Sequence, residues 1–302
     1  MKMLVSVVDI ETCGLVEELE YLDYRYLKNR GREKTDEEVE RGLSLNPFLA
    51  HVVSLALVHV QDDRIEEGVV YYLSDGGDEE FVDERTVGGE IIEISFHPVP
   101  CPKMPRDLSD GERMILESFW TEIQESERVV TYNGRGFDLP VLRLRSMLYN
   151  LPVRKELELS RYGRVGDFHL DLADFLFTKD DQKFTLDFVC RRFGIEIGKG
   201  GMDGSKVHDV FVHGGYRDIA EYNCNDALMT ALLYLRLLPY VGEEEASLPS
   251  ERQIDYLAKL LAKLEGREKE ATRQLFVWFQ ESGVLTRDGA SRLIDYLKSL
   301  NV

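Results

Sequence analysis

The chain has 302 residues, of which 43% are hydrophobic, so it is long enough for one large domain with an accessory or for two ordinary domains. The formal net charge is −19, from 56 acidic and 37 basic residues, which argues against broad nucleic-acid binding because a phosphate backbone attracts Lys and Arg. No apolar run approaches the length of a membrane span, and no secretory signal is present. We therefore expect a soluble, cytoplasmic protein with no membrane partner.

The first apolar stretch, residues 3–8, is rich in valine and predicts a buried strand. Asp9 and Glu11 follow it two residues apart, so extended backbone places both carboxylates on one face of the sheet. Two carboxylates on one face repel each other and are costly to desolvate unless a positive group sits between them. A hard divalent cation held by carboxylate oxygens is the natural group for that position.

Apolar runs, turn residues and helix caps predict the elements of an α/β domain with a mixed sheet and flanking helices. Strands are expected at 50–60, 68–74, 91–96 and 128–132. The strand at 91–96 is expected to lie at an edge and to end before the prolines at 98–105. Helices are expected at 109–126, 185–193 and 216–238. Ser109 and Glu112 are expected to form a capping box, and Pro239 to end the last helix.

Charge and periodicity divide the chain into domains. Residues 1–242 hold the strands and interleaved helices. Within them, 17–45 is dense in charge, with two tyrosines, a leucine and a valine at helical spacing, which predicts a solvent-facing helical insertion. Residues 243–249 predict a linker, and 250–302 a small three-helix accessory module with a basic bias in its first half. This module is expected either to pack as a simple bundle or to contact a protein or nucleic-acid partner.

Three residues further along the chain are placed where a metal site would need them. Asp138 opens a helix directly after a strand, where a carboxylate can face a cleft. Tyr222 and Asp226 are four residues apart on a predicted helix and so project from one face. We expect Asp226 and Asp138 to converge with Asp9 and Glu11, although any one of these acids taken singly is more often a surface residue. Four carboxylates without Cys or His favour Mg²⁺ or Mn²⁺ over zinc and suit two-metal phosphoryl chemistry.

The three motifs occur in a defined order, which is Asp9-Ile-Glu11-Thr12, then Asn133-Gly-Arg-Gly-Phe137-Asp138, then Tyr222-x-x-x-Asp226. In that order they resemble the DEDD superfamily of 3′–5′ exonucleases, and above all a free-standing form of the proofreading exonuclease of family B DNA polymerases. The resemblance covers about residues 1–240, with supporting stretches at 47–53, 169–172 and 198–205, and implies a ribonuclease H-like fold. The histidine subtype has His five residues before the last Asp. Glu221 holds that place here, which indicates the tyrosine subtype.

The resemblance implies a role for each acid of the motifs. Asp9, Glu11, Asp138 and Asp226 are expected to hold two divalent metal ions, Mg²⁺ or Mn²⁺. Tyr222 is expected to assist the nucleophilic water.

Five further residues are expected to contact the substrate. Asn133 and Phe137 would line the path of the strand, Phe137 stacking on a base unless it packs in the core. Thr12 would contact the terminal nucleotide, and Leu15 would wedge against its base. Lys199, in a glycine-rich loop, would neutralise a phosphate unless the loop is simply solvated.

The sequence therefore predicts a metal-dependent 3′–5′ exonuclease that acts on single-stranded DNA or frayed 3′ ends by a two-metal mechanism and releases nucleoside monophosphates. The expected partner is single-stranded nucleic acid, DNA more than RNA. Three alternatives stay open, namely a 3′–5′ exoribonuclease of the same fold, a catalytically silent nucleic-acid-binding scaffold and a structure-specific endonuclease.

Overall fold

A computed structural model describes most of the first 241 residues. The described residues are 4–15, 20–30, 34–104, 107–153, 157, 168–177, 184–195, 202–241 and six residues between 254 and 294. The chain divides into two compact units, Met1–Tyr240 and Val241–Val302. The predicted linker 243–249 and nearly all of the predicted module 250–302 lie outside the described residues, so their organisation stays a prediction.

The described residues form a mixed seven-stranded sheet with the order β4-β5-β3-β2-β1-β6-β7. The strands are β1 (Leu4–Gly14), β2 (Ala50–Gln61), β3 (Arg64–Ser74), β4 (Phe81–Val87), β5 (Glu90–Pro100), β6 (Arg128–Thr131) and β7 (His169–Asp171). β2 is antiparallel to both β1 and β3, whereas β6 is parallel to β1 and β7 parallel to β6. Among β3, β2, β1, β6 and β7 only β2 runs against the rest, which is the arrangement of a ribonuclease H-like sheet.

Helices flank this sheet, as the α/β prediction requires. In the described residues they are α1 (Tyr21–Asn29), α2 (Asp36–Leu43), α3 (Ser109–Glu122), α4 (Asp138–Leu148), α5 (Leu172–Leu176), α6 (Leu186–Arg192), α7 (Val207–Val212) and α8 (Tyr216–Val241). α3 packs against β2 and β3, α4 against β2, and both α2 and α7 against β1. α1 and α2 both fall within the segment 17–45. None of the helices in the described stretches has the length and apolar composition that crossing a membrane requires.

The two central strands form the middle of the core. Every β2 residue from Ala50 to Val60 is buried, as are Val5, Val7 and Val8 of β1. A strand that is covered on both faces needs a nearly continuous apolar run rather than an alternating one. This is why the valine-rich runs of the sequence predicted these two strands correctly.

The strand predicted at 91–96 is longer and lies deeper in the sheet than expected. β5 runs from Glu90 to Pro100 and pairs with strands on both sides, so it is not an edge strand. Its pairing with β4 ends at Phe96, whereas its pairing with β3 continues through Pro98 and Pro100. The two prolines therefore lie where one side of β5 is unpaired, and their missing N–H groups break no ladder there.

The last helix also passes the residue expected to stop it. α8 contains Pro239 and ends at Val241 instead of Leu238. A proline removes one backbone hydrogen bond, and in the last turn of a long helix that loss does not break the preceding turns.

The predicted capping box at the start of α3 does not form. Ser109 is held by Asp107, whose carboxylate accepts hydrogen bonds from both the backbone N–H and the hydroxyl of Ser109. Glu112 instead points into the core, where it is fully buried and accepts a hydrogen bond of 3.0 Å from the N–H of Val52 on β2. The glutamate therefore fastens α3 to the sheet.

Glu112 is the centre of a buried ion-pair network. Arg145 of α4 donates from Nε and Nη2 to its two carboxylate oxygens at 2.7 and 2.5 Å. His51 Nδ1 and the Tyr149 hydroxyl lie 2.7 Å from Glu112 Oε2. Burial alone would raise the pKa of Glu112, but the hydrogen bonds from His51 and Arg145 outweigh it and lower the pKa to about 2.

We expect Glu112→Gln to lower the free energy of unfolding by about 3 kcal/mol at neutral pH, because the Arg145 charge is left buried without its partner. The pKa of Glu112 is lowered on folding. Its stabilising contribution is therefore complete above the ordinary pKa of 4.5 and is lost as the pH falls toward about 2. Urea unfolding of the variant and the wild type at several pH values measures both effects.

The matched control is Glu117→Gln on the same helix, which removes an exposed ion pair with Arg113 and should change stability by less than about 0.5 kcal/mol. Equal losses in the two variants would contradict the role given to the buried network.

Candidate active site

Three carboxylates meet beside the carboxyl-terminal half of β1. Asp9 and Glu11 project from one face of β1, and Asp226 reaches them from α8. Oxygens of the three side chains all lie within 4.8 Å of one another, and each side chain is half-buried. The register between β1 and β2 shifts directly after Glu11, so the strand changes its pairing at the site.

Asp138 is the fourth acid and stands directly beside this group. It is the first residue of α4 and is buried, with 6% of its surface exposed. Its Oδ1 accepts a hydrogen bond of 3.3 Å from the N–H of Ile10, the residue between Asp9 and Glu11. The sequence prediction that these four acids converge agrees with this geometry, with Asp138 outside the tightest set of three.

The loop that delivers Asp138 to the site has a defined shape. Asn133 adopts a left-handed backbone with φ 63°. A Cβ on Gly134 would lie 2.5 Å from the side chain of Thr131, so only glycine fits there. Asp171 of β7 accepts hydrogen bonds of 2.8 and 2.9 Å from the N–H groups of Asn133 and Arg135. Asp171 thus ties the loop to the edge of the sheet.

The charges of the site are poorly compensated by the protein. Burial, followed by repulsion from Asp138, Asp226 and Glu11, raises the pKa of Asp9 well above its ordinary value. The pKa of Glu11 is raised in the same way by burial, Asp226 and Asp138. Burial raises the pKa of Asp138 to about 7. Ionising these groups together at neutral pH therefore costs free energy that a cation could recover.

Tyr222 lies one helical turn before Asp226 and faces the same group. Burial, and then the negative charges of Asp226 and Glu11, raise the pKa of its phenol. A hydrogen bond with Asp226 adds to this rise in pKa. The hydroxyl therefore lies beside the carboxylates, as the four-residue spacing on a helix predicts.

The sequence did not reveal the side chains that hold Asp9. Asn223 Nδ2 donates a hydrogen bond of 2.6 Å to Asp9 Oδ2. Ser54 of β2 in turn donates a hydrogen bond of 2.9 Å to Asn223 Oδ1, which fixes the orientation of the amide. Asn223 and Ser54 are both fully buried. A signal was present, since Asn223 directly follows the tyrosine of the third motif, but its partner lies on a distant strand.

The residues expected to contact substrate have different surroundings. Thr12 donates from its hydroxyl to the backbone oxygen of Ser44 at 2.6 Å, and Leu15 is buried. Asn133 is exposed, whereas Phe137 is half-buried and packs against the core, as its structural alternative predicted. Lys199 lies outside the described residues.

Known proteins resemble this chain over limited regions. The DNA polymerase of Methanocaldococcus jannaschii is 25% identical over 200 residues, which cover 59% of this chain and 12% of the polymerase. The DNA polymerase of Archaeoglobus fulgidus is 28% identical over 142 residues, which cover 44% of this chain and 18% of the polymerase. This chain thus spans less than a fifth of the length of these curated relatives.

Among solved structures, the family B DNA polymerase of Pyrobaculum calidifontis is 21% identical with a TM-score of 0.42, covering 79% of this chain and 25% of that chain. The zinc-bound complex of E. coli ExoI with single-stranded DNA is 12% identical with a TM-score of 0.42, covering 86% of this chain and 44% of that chain.

One family model matches more than half of the chain, over residues 99–279. The matched region includes Asp138, Tyr222 and Asp226 and begins after β1, which carries Asp9 and Glu11. The chain belongs to the family of predicted 3′–5′ exonucleases related to the exonuclease domain of PolB.

Proposed function

We propose that this chain is a divalent-metal-dependent 3′–5′ exonuclease of the tyrosine subtype, which hydrolyses the terminal phosphodiester bond of single-stranded DNA or of a frayed 3′ end. The observation that carries the proposal is the carboxylate group at β1, where oxygens of Asp9, Glu11 and Asp226 lie within 4.8 Å of one another. Membership of an exonuclease-related family supports the same reaction class.

The donor set fits the metal ions that phosphoryl chemistry uses. Asp9, Glu11 and Asp226 offer only carboxylate oxygens, which suit Mg²⁺ or Mn²⁺, and Asp138 adds a fourth carboxylate beside them. Two such ions, when bound, would balance the negative charge of the site and of the phosphate and lower the pKa of a bound water.

The protein side chains then have distinct roles in the proposed reaction. Asp9, Glu11, Asp138 and Asp226 hold the metal ions, and the Tyr222 hydroxyl orients the attacking water from the neighbouring turn of α8. The water oxygen bonds to phosphorus while the bond to the preceding 3′ oxygen breaks. The products are a nucleoside monophosphate and a strand shortened by one nucleotide with a free 3′ hydroxyl.

The substrate contacts of the proposal rest on the residues around this group. Asn133, exposed at the loop before Asp138, supports a contact with the strand most directly. Phe137, Thr12, Leu15 and Lys199 stay proposed contacts on the strength of the motif resemblance. The preference for DNA over RNA has the same basis.

The first test is digestion of a 5′-labelled single strand with Mg²⁺ or Mn²⁺. Wild-type protein should give a ladder that shortens from the 3′ end and disappears in EDTA. Asp226→Asn should lower the rate more than about 100-fold because it removes a charged metal ligand. Asp218→Asn, an exposed carboxylate on the same helix, is the matched control and should retain the wild-type rate.

Each other outcome of this digestion assigns a different function. Absence of metal-dependent degradation would contradict the exonuclease and favour a silent scaffold, and discrete internal cuts would favour an endonuclease. Faster degradation of RNA than of DNA would make the chain an exoribonuclease.

A second prediction concerns stability without metal. Glu11→Gln should raise the free energy of unfolding in EDTA by about 1 kcal/mol or more, because it removes one of the repelling charges whose pKa is raised on folding. Mg²⁺ or Mn²⁺ should raise the melting temperature of the wild type more than that of the variant. Thermal unfolding measures both effects, and Glu90→Gln, exposed at the start of β5, is the control. A variant less stable than wild type in EDTA would contradict the electrostatic account.

A third prediction concerns Asn223 as a positioning residue. Asn223→Ala and Ser54→Ala should each raise the Mn²⁺ concentration needed for half-maximal activity about 10- to 100-fold, because Asp9 loses the contact that orients its carboxylate. Asn225→Ala, which removes a hydrogen bond between α8 and Arg85 away from Asp9, should leave that concentration unchanged. A purely structural role would lower activity in all three variants without moving the metal dependence.

A further inference from the structure

We propose that α1 and two basic residues after it, Arg30 and Lys34, form a binding surface for the single strand on the 5′ side of the cleaved nucleotide. We call this surface, made by Tyr21, Arg25, Tyr26, Arg30 and Lys34, the α1 surface. The inference rests on the proposed function, because it names how that same site would retain its polymer.

The charge of this segment is opposite to that of the chain as a whole. The chain carries a net charge of −19, yet residues 25–34 contain five basic residues and a single acidic residue. Lys34 donates its backbone N–H to the Lys28 carbonyl at 2.9 Å, which holds Lys34 beside the last turn of α1. Such a local positive cluster complements a phosphate backbone, whereas the surrounding acidic surface repels it.

The same helix presents aromatic rings to solvent. Tyr21 and Tyr26 are 71% and 63% exposed, so core packing does not account for them. The Arg25 guanidinium lies 5.7 Å from the centroid of the Tyr21 ring, which places a cation beside an exposed aromatic face. Exposed aromatic rings interleaved with basic side chains are the combination that binds single strands, because every unpaired base offers a face for stacking.

The remaining tyrosine of α1, Tyr24, contacts another helix. Tyr24 donates from its hydroxyl to Asp36 at 2.5 Å, and Lys28 pairs with the same carboxylate at 2.6 Å. Both side chains therefore join α1 to the start of α2. Tyr21, Arg25 and Tyr26 are exposed and lie on the part of the helix that faces solvent.

The helix pair is fixed to the strand that carries the carboxylates. Thr12 and Gly14 of β1 both bond to Ser44, at the end of α2, with distances of 2.6 and 3.1 Å. A Cβ at Gly14 would come within 2.4 Å of the Leu43 Cβ, so α2 lies directly against the backbone of β1. α1 begins seven residues after Gly14, a chain length that spans at most about 25 Å. The length of a few nucleotides therefore spans the distance from the end of β1 to Tyr21, where the α1 surface begins.

Binding of a fluorescent single strand to the full chain tests the aromatic part of this surface. The strand has about 20 nucleotides, longer than a typical site, carries phosphorothioate linkages to slow hydrolysis, and is titrated with Mg²⁺ present. The double variant Tyr21→Ala and Tyr26→Ala should weaken binding about tenfold or more. Phe at both positions should restore affinity, because the rings remain. Tyr240→Ala, which removes a tyrosine that is 75% exposed at the end of α8, should have no effect.

The salt dependence of the same binding tests the basic part. The double variant Arg25→Ala and Arg30→Ala should reduce the slope of log Kd against log salt by about 0.7 for each lost phosphate contact. A merely structural role would change affinity without changing this slope. Arg64→Ala is the matched control, because this arginine is exposed and lies far along the sheet from the carboxylates. Arg64 is the partner of Gln61 in the sheet, and Gln61 is the partner of Leu4 at the start of β1.

Unchanged affinity and slope in the α1 variants would overturn the inference, and so would a wild-type chain that fails to bind the strand. Equal losses on a blunt duplex would overturn it as well, because stacking requires unpaired bases. The digestion of unmodified strand by the wild type separates the two claims. If the wild type shortens the strand in a metal-dependent way and the α1 variants bind as the wild type does, only the proposed role of the α1 surface is contradicted. If the wild type does not shorten the strand, the proposed exonuclease activity is contradicted.

Discussion

Repulsion among partly buried carboxylates beside the carboxyl-terminal half of β1 is the constraint on which the site depends. Asp9 and Glu11 stand on one face of a strand buried in the middle of the sheet, and Asp226 and Asp138 are delivered to them by two helices. Within the described part of the chain, the side chain that donates a hydrogen bond to the Asp9 carboxylate is the neutral amide of Asn223. Burial and the neighbouring carboxylates therefore raise the pKa values of Asp9 and Glu11. Such a cluster is costly to fold and well suited to divalent cations.

Another buried acid of the same fold shows the contrast. Glu112 is more deeply buried than Asp9, yet its pKa is lowered to about 2 because Arg145 and His51 bond to it. The fold can therefore neutralise a buried carboxylate with its own side chains where the role is structural. Asp9 and Glu11 have no such cationic partner among the described residues. Carboxylates whose pKa is raised by burial and by like charges concentrate at functional sites. The helix pair α1–α2 sits against the same strand end, so catalysis and polymer binding would share one anchor.

Much of the fold and of the candidate site could be predicted from local sequence. Strands β1 and β2 were predictable because burial on both faces demands continuous apolar runs, and the four acids because spacing fixes which face a side chain takes. The features that the sequence did not predict depend on contacts with residues far along the chain. Pro98 fits within β5 only because the pairing of β5 with β4 stops at Phe96. Glu112 forms no capping box because it binds Arg145 on another helix. The amide of Asn223 is oriented by Ser54, 169 residues away, which no local pattern can show.

Anomalous diffraction from crystals of the chain soaked in Mn²⁺ would show whether the carboxylates at β1 bind divalent cations. We expect manganese peaks among Asp9, Glu11 and Asp226, with Asp138 alongside, and the loss of these peaks in Asp226→Asn crystals. Manganese bound only elsewhere on the acidic surface, or peaks at this group that persist unchanged in Asp226→Asn, would contradict this expectation.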